Sequence, residues 1–172
     1  ERGTRAACCP VMRSEGWGIL KCGIARPPAD GLTEEDRMSL VETLHMSTVS
    51  KTPQRVEVVL PITPDLYQPH GFLHGGVTIA LLESAASYGA ECHTDFSKEL
   101  PFGIEVTVRH RKSGKEGMLR GVAELDRVET SGHTGSVKQF WNVAAYDDVG
   151  DVVSDGVIAV SYTHLTLPTI LR

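Results

Sequence analysis

Residues 74–90 read HGGVTIALLESAASYGA and form the longest helical pattern in the chain. Two glycines open this segment, directly after a loop that ends at His74. The apolar residues that follow are spread over nearly the whole helical circumference, which is typical of a helix that is buried on most of its surface. The pattern therefore predicts one long helix, at about 75–91, in the interior of the domain.

Six strands are predicted, two before this helix in the sequence and four after it. They comprise residues 46–50, 55–62, 102–108, 119–128, 137–146 and 152–160. The clearest pattern is that of Phe102, Ile104, Val106 and Val108, which alternate with glycine and polar residues and predict a half-buried strand. The last four strands follow one another through short turns, and strands connected in this way pair antiparallel. The sequence therefore predicts an α+β domain, an antiparallel sheet with one long helix.

The two ends of the chain differ from its middle. Residues 1–32 combine Cys-Cys-Pro, several glycines and Pro-Pro without a regular period, and we interpret them as an irregular or disordered leader. Thr33-Glu34-Glu35-Asp36 resembles a capping box and predicts a short helix at about 34–45. Residues 33–160 then form the domain. Residues 161–172 resemble translated vector sequence, so we interpret them as a non-native tail and exclude them from the fold.

Composition excludes several classes of protein. The 172 residues are 41% hydrophobic and 23% charged, as in an ordinary soluble domain. No apolar run approaches the length of a transmembrane helix, and no signal peptide is recognisable. The net charge of −5 argues against nucleic-acid binding by the chain as a whole. The four cysteines include no CxxC pair, which argues against a structural zinc site and favours a cytoplasmic location.

Glu83 is a single carboxylate in the middle of the apolar helix. A buried carboxylate costs free energy unless it is paired, protonated or used in chemistry. Ser87 lies four residues later and shares its helix face. Two interpretations stay open: a functional carboxylate, or a narrow solvent-exposed stripe that also includes Ser84.

Gly75 and Gly76 occupy the first positions of the same helix. The first amides of a helix lack internal acceptors and lie at the positive end of the helix dipole. They suit a developing oxyanion or a phosphate, and glycine lets a ligand approach closely. The alternative is that the two glycines only shape the turn.

Residues 66–90 resemble the signature region of hotdog-fold acyl-CoA thioesterases. The resemblance is to the aroyl-CoA branch, which includes 4-hydroxybenzoyl-CoA, 1,4-dihydroxy-2-naphthoyl-CoA and phenylacetate-pathway thioesterases. The matching residues are Gln68-Pro69, Gly71, Leu73-His74-Gly75-Gly76, Ala80, Glu83 and Ser87, with a second match at Gly103-Ile104-Glu105-Val106 that continues to His110. The resemblance covers roughly residues 35–160. It implies a sheet wrapped around one central helix, and hydrolysis of an acyl-CoA ester with an aromatic or otherwise bulky acyl group.

The resemblance also implies a role for each matching side chain. Gly75 donates its backbone amide to the thioester oxygen, and Glu83 acts as nucleophile or general base. Gln68 and His74 hold the thioester and its leaving sulfur, and Ser87 orients Glu83 or the attacking water. The structural alternatives are that Gln68 closes the loop, that His74 is a buried loop histidine, and that Ser87 bonds a backbone carbonyl.

The basic run His110-Arg111-Lys112 is implied to contact the phosphates of coenzyme A, although relatives commonly have His-His-Arg there. Its structural alternative is a solvated turn. Nucleic acid is disfavoured because no aromatic residues interleave with the run. His70 and His74 have HxxxH spacing but lack the glutamate of a zinc protease, so we expect no metal. No cofactor is implied beyond the coenzyme A of the substrate.

The spacing of Gly75 and Glu83 predicts an oligomer. Eight residues apart on one straight helix, the two are separated by roughly 12 Å, so one carbonyl carbon cannot contact both. The site then needs Glu83 from one subunit and Gly75 from another, in a dimer at least. The resemblance implies a homotetramer. Two other functions stay open: a hotdog acyl-CoA hydratase or dehydratase, and a non-catalytic acyl-CoA sensor.

Overall fold

The computed structural model describes residues 39–130 and 136–164. Its elements in chain order are α1 (Leu40–Thr43), β1 (Ser47–Lys51), β2 (Arg55–Pro61), a 3₁₀ turn (Pro64–Leu66), α2 (Gly75–Glu91), β3 (Glu99–His110), β4 (Met118–Thr130), β5 (Val137–Tyr146) and β6 (Val152–His164). The leader predicted at residues 1–32 lies outside the described residues, as do residues 165–172 of the predicted tail. No helix in the described part of the chain is long and apolar enough to span a membrane.

The strands form one sheet with the order β1-β2-β4-β5-β6-β3, and every neighbouring pair is antiparallel. Helix α2 packs against five of these strands, from β2 to β6. The largest fully buried side chains come from both layers and include Leu60, Leu81, Leu82, Leu119, Trp141 and Ile158. The predicted α+β class and the central helix are therefore confirmed.

Helix α1 is shorter than predicted. Ser39 has an extended backbone with ψ 162° and is the N-cap, so the helix begins at Leu40 and the prediction of helix over 34–45 is wrong at this residue. Ser39 Oγ accepts a hydrogen bond from Glu42 N (3.2 Å), and Glu42 Oε2 accepts one from Ser39 N (2.7 Å). Glutamate is long enough to reach back to the N-cap amide, which completes a capping box here. The box predicted at 33–36 lies outside the described residues.

Strand β3 does not have the uniform alternation that was predicted. Its pairing with β6 shifts between Gly103 and Glu105, which marks a bulge with one extra residue. Phe102 pairs with Ser161 and Val106 with Ile158, so Phe102 and Val106 lie on opposite faces of the sheet. The prediction that they share a buried face is wrong. Phe102 is 51% exposed at the edge of the sheet.

Strand β6 extends beyond its predicted end. Residues 161–164 pair with residues 99–102 of β3. The side chain of Tyr162 is buried in the core, and its hydroxyl donates a hydrogen bond to Ala90 O (3.0 Å) near the end of α2. Excluding residues 161–164 from the fold was therefore wrong, because one of them completes the core.

We expect Tyr162→Ala to lower the free energy of unfolding by about 3–5 kcal/mol, the usual cost of truncating a buried aromatic side chain. Thr163→Ala is the matched control, because Thr163 is the exposed neighbour on the same strand. Urea unfolding at one fixed protein concentration measures both variants. Equal effects of the two substitutions would contradict the core role of Tyr162.

Candidate active site

His74 caps the N-terminus of α2. Its Nδ1 accepts a hydrogen bond from Gly76 N (3.0 Å), and its own amide donates to Leu66 O (2.9 Å). Since Nδ1 accepts, it carries no proton, and Nε2 is the donor of the neutral ring. His74 is exposed, so the alternative of a buried loop histidine is wrong. The Gly75 amide has no intrahelical acceptor, and none within the described residues.

The loop before α2 is closed by Gln68. Gln68 N donates to Phe72 O (2.8 Å), and Gly71 N donates to Gln68 O (3.0 Å). Gly71 has a φ of +78°, a conformation that glycine adopts without strain. The closure uses only the backbone of Gln68. Its half-buried side chain has no hydrogen-bond partner in the described chain and is available to a ligand.

The carboxylate of Glu83 lies against β3. A Cβ atom built on Gly103 would lie 2.6 Å from Glu83 Oε1, so only glycine leaves room for the carboxylate in this position. Glu83 is half-buried, and within the described residues it has neither a hydrogen bond nor an ion pair. Ser87, predicted to orient it, forms no hydrogen bond with it either. Within the part of the chain that the structure describes, the half-buried carboxylate therefore does not serve a salt bridge.

We expect Gly103→Ala to displace the Glu83 side chain and to lower kcat by about 10²-fold, the cost of misplacing a reacting group by about 1 Å. The fold itself should tolerate the change, because the colliding atom ends a flexible side chain. Thr48→Ala, at an exposed position of β1 on the opposite edge of the sheet, is the control. Steady-state kinetics and the thermal midpoint of both variants test this. A Gly103→Ala variant with normal kcat would contradict it.

The basic run after β3 is divided between two environments. Arg111 binds Asp155 through two hydrogen bonds (2.6 and 3.0 Å), and Lys112 lies 2.6 Å from Asp147 and 2.7 Å from Asp151. These carboxylates already occupy the two cations that are implied to bind phosphate. A phosphate would have to compete with them.

The same pairs shift the pKa values of their members. The hydrogen bond from Arg111 lowers the pKa of Asp155, and the bond from Lys112 lowers that of Asp147. The pKa of Lys112 is raised, first by its bond to Asp147 and then by its bond to Asp151. Both pairs therefore stay ionised over the neutral pH range.

His110 has a separate environment from the two residues that follow it. Its Nδ1 lies 2.8 Å from Oγ of the fully buried Ser154. Its Nε2 lies against Gly75, where a built Cβ would come within 2.7 Å of it. The sequence prediction missed Ser154. The available signal was its position: Ser154 is a polar residue an even number of positions from Ile158 and Val160, so it shares their inward face of β6.

A surface groove lined by Arg55, Arg120, Val122, Glu124, Asn142, Val143, Ala144 and Tyr146 lies on β2, β4 and β5. It includes none of the predicted site residues. The candidate site is therefore the region of α2 and β3 that contains Glu83 and the helix N-terminus.

Comparisons with known proteins agree with this architecture. The family model described as thioesterase superfamily matches residues 70–153. A 1,4-dihydroxy-2-naphthoyl-CoA hydrolase of Listeria monocytogenes is 34% identical over 111 residues, 64% of this chain and 85% of that protein. The Escherichia coli protein of the same name is 32% identical over 95 residues, 55% of this chain and 65% of that protein.

Solved structures show the same fold. Two crystal structures of one Staphylococcus aureus protein superpose with TM-scores of 0.68 and 0.64 at 30% and 28% identity. Each covers 74% of this chain, and the matches span 100% and 98% of those chains. That protein is described as a thioesterase enzyme. One structure carries a glutamate-to-alanine substitution and the other a glutamine-to-alanine substitution. The two substituted positions are as far apart in that sequence as Gln68 and Glu83 are here. The predicted sheet wrapped around a central helix, the hotdog fold, is confirmed.

Proposed function

This chain belongs to the thioesterase superfamily, and on that premise we propose that it hydrolyses acyl-CoA thioesters to a free acid and coenzyme A. One observation carries the proposal. Glu83 is half-buried on the central helix with no partner in the described chain, and a glycine of β3 leaves room for its carboxylate. A half-buried carboxylate without a partner is suited to act as a base or a nucleophile.

The proposed reaction begins with the thioester oxygen at the Gly75 amide, which stabilises the oxyanion as it develops. Glu83 either takes a proton from a water that attacks the carbonyl carbon, or attacks that carbon itself. The carbon–sulfur bond then breaks, and the coenzyme A thiolate leaves and takes up a proton. In the direct route, water hydrolyses the anhydride formed on Glu83. The Nε2–H of His74 and the amide of Gln68 are suited to hold the thioester and the leaving sulfur.

The two reacting groups, Glu83 and Gly75, lie beside different parts of strand β3, one toward each end. Gly103 of β3 lies beside Glu83, whereas His110 lies beside Gly75, so the strand and the helix run antiparallel. In the sheet of the described residues β3 has a single neighbour, β6. A second copy paired antiparallel along β3 about a two-fold axis at residue 107, with residue 104 bulged out of the pairing in both strands, would set residue 103 opposite the partner's 110. That arrangement supports a shared site, with Glu83 of one subunit facing Gly75 of the other.

The side chains of β3 support the same partner. Phe102 and Ile104 are 51% and 50% exposed, and Val106 is 38% exposed. A long edge strand with exposed apolar residues is prone to aggregation unless another strand covers it. A second copy of this chain would cover it. The homotetramer and the cytoplasmic location expected from the sequence are part of the proposal.

The acyl group is proposed to be aromatic or otherwise bulky, because two relatives above 30% identity are named as hydrolases of a naphthoyl ester. The coenzyme A phosphates are proposed to contact Arg111 and Lys112, in competition with their carboxylate partners. The proposed hydrolysis uses water and the chain's own side chains.

A panel of aroyl-, phenylacyl- and fatty acyl-CoA esters, assayed for thiol release, tests the function. We expect free thiol from every aroyl ester that fits, and a lower kcat/KM for the fatty acyl esters. An altered double bond without thiol release would identify a hydratase or dehydratase instead. Binding without turnover would identify an acyl-CoA sensor.

A further inference from the structure

We infer that His110 is a positioning residue for the oxyanion amide of Gly75, held by Ser154, and that it is not a ligand of the coenzyme A phosphates. The inference rests on the proposed function, because it concerns the same site.

The side chain of His110 points toward α2. His110 pairs with Ser154 in the β3–β6 ladder, and cross-strand partners point to the same face of a sheet. Ser154 is fully buried, so this is the face toward the helix. Arg111 instead forms an ion pair with Asp155, whose side chain is partly exposed to solvent. His110 is therefore separated from the cations that follow it in the sequence.

The imidazole ring of His110 contacts the start of this helix. A Cβ built on Gly75 would lie 2.7 Å from Nε2 and 3.1 Å from Cε1 of His110, so the imidazole packs directly on the first residue of α2. The contact is possible because glycine has no side chain at this position. Gly75 is also the residue whose amide faces the thioester in the proposed reaction.

Ser154 fixes the orientation of the His110 ring. The Ser154 hydroxyl lies 2.8 Å from Nδ1, on a residue with no exposed surface. A buried hydrogen bond to a rigid strand sets the ring orientation, as a supporting residue does for a catalytic group. The chain Ser154–His110–Gly75 thus connects strand β6 to the N-terminus of α2 and holds the amide in place.

Two substrates separate positioning from phosphate binding. One is an acyl-CoA ester, and the other is the same acyl group on N-acetylcysteamine, which has the thioester but no phosphates. We expect His110→Ala and Ser154→Ala each to lower kcat on both esters, by about 10-fold to 100-fold, with little change of KM. Ser161→Ala, on the same strand but the opposite face, is the matched control.

A loss confined to the coenzyme A ester and expressed as a higher KM would overturn the inference and return His110 to the phosphates. Normal kcat in the Ser154→Ala variant would overturn it as well, because Ser154 is buried and acts only through the ring. Thermal midpoints of all variants identify loss of folding. Because His110 is more exposed than Ser154, we expect His110→Ala to lower stability less than Ser154→Ala. If the wild-type protein hydrolyses neither ester, the proposed function itself fails, and this inference fails with it.

Discussion

Replacing Glu83 by glutamine is expected to lower kcat by about 10²–10⁴-fold, the range that a positioned acid or base contributes to a reaction. Glutamine keeps the size of the side chain and its place beside Gly103 but can neither accept a proton from water nor attack the carbonyl as a carboxylate. Because the substrate contacts stay, KM should change little. Thiol release from an aroyl-CoA ester, measured at saturating substrate, gives the value.

Glu91→Gln is the matched control for this substitution. Glu91 lies at the end of the same helix and forms an ion pair with Lys51 (2.6 Å), so its loss should affect stability slightly and kcat hardly at all. Equal effects on kcat would contradict a chemical role for Glu83. In a single turnover in ¹⁸O-labelled water, label in Glu83 identifies the direct route, since it can enter only when water attacks the glutamyl carbon of the anhydride.

The elements best predicted from the sequence are those whose pattern is local. Helix α2 is predicted because its apolar residues and its two opening glycines are contiguous, and β5 because segments with turn-forming residues bound it on both sides. The end of β6 is not predicted, because the burial of Tyr162 depends on Ala90 of α2, which lies 72 residues away in the chain. A local pattern carries no information about that contact.

The candidate site was predictable to the same extent. The position of Glu83 on an apolar helix follows from its period, but its place beside Gly103 depends on the register between α2 and β3. That register is displaced by the bulge at residue 104, which interrupts the alternation that a sequence pattern assumes. His110 is grouped with Arg111 and Lys112 by sequence because all three are basic neighbours, although successive residues of a strand point to opposite faces and the His110 ring lies on the other side from Arg111.

Two inactive variants should restore activity when they are combined in one oligomer. Glu83→Gln removes the carboxylate, and Gly75→Val places a side chain where His110 packs, so each homo-oligomer should be nearly inactive. In a mixed dimer, one site receives Gly75 from the first chain and Glu83 from the second. Random pairing of equal amounts therefore predicts about a quarter of wild-type activity.

The control is a chain that carries both Glu83→Gln and Gly75→Val, mixed with wild-type chains. It distinguishes a site shared between subunits from a site within one chain. If the two groups meet across subunits, every mixed dimer is inactive, and an equal mixture keeps about a quarter of wild-type activity. If each site lies within one chain, wild-type subunits stay active in any pairing and the mixture keeps about half. Differently tagged chains, co-expressed in equal amounts, quantified by their tags and assayed without separating the oligomers, allow both measurements. Because Glu83 and Gly75 are roughly 12 Å apart along one helix, the geometry favours the first result.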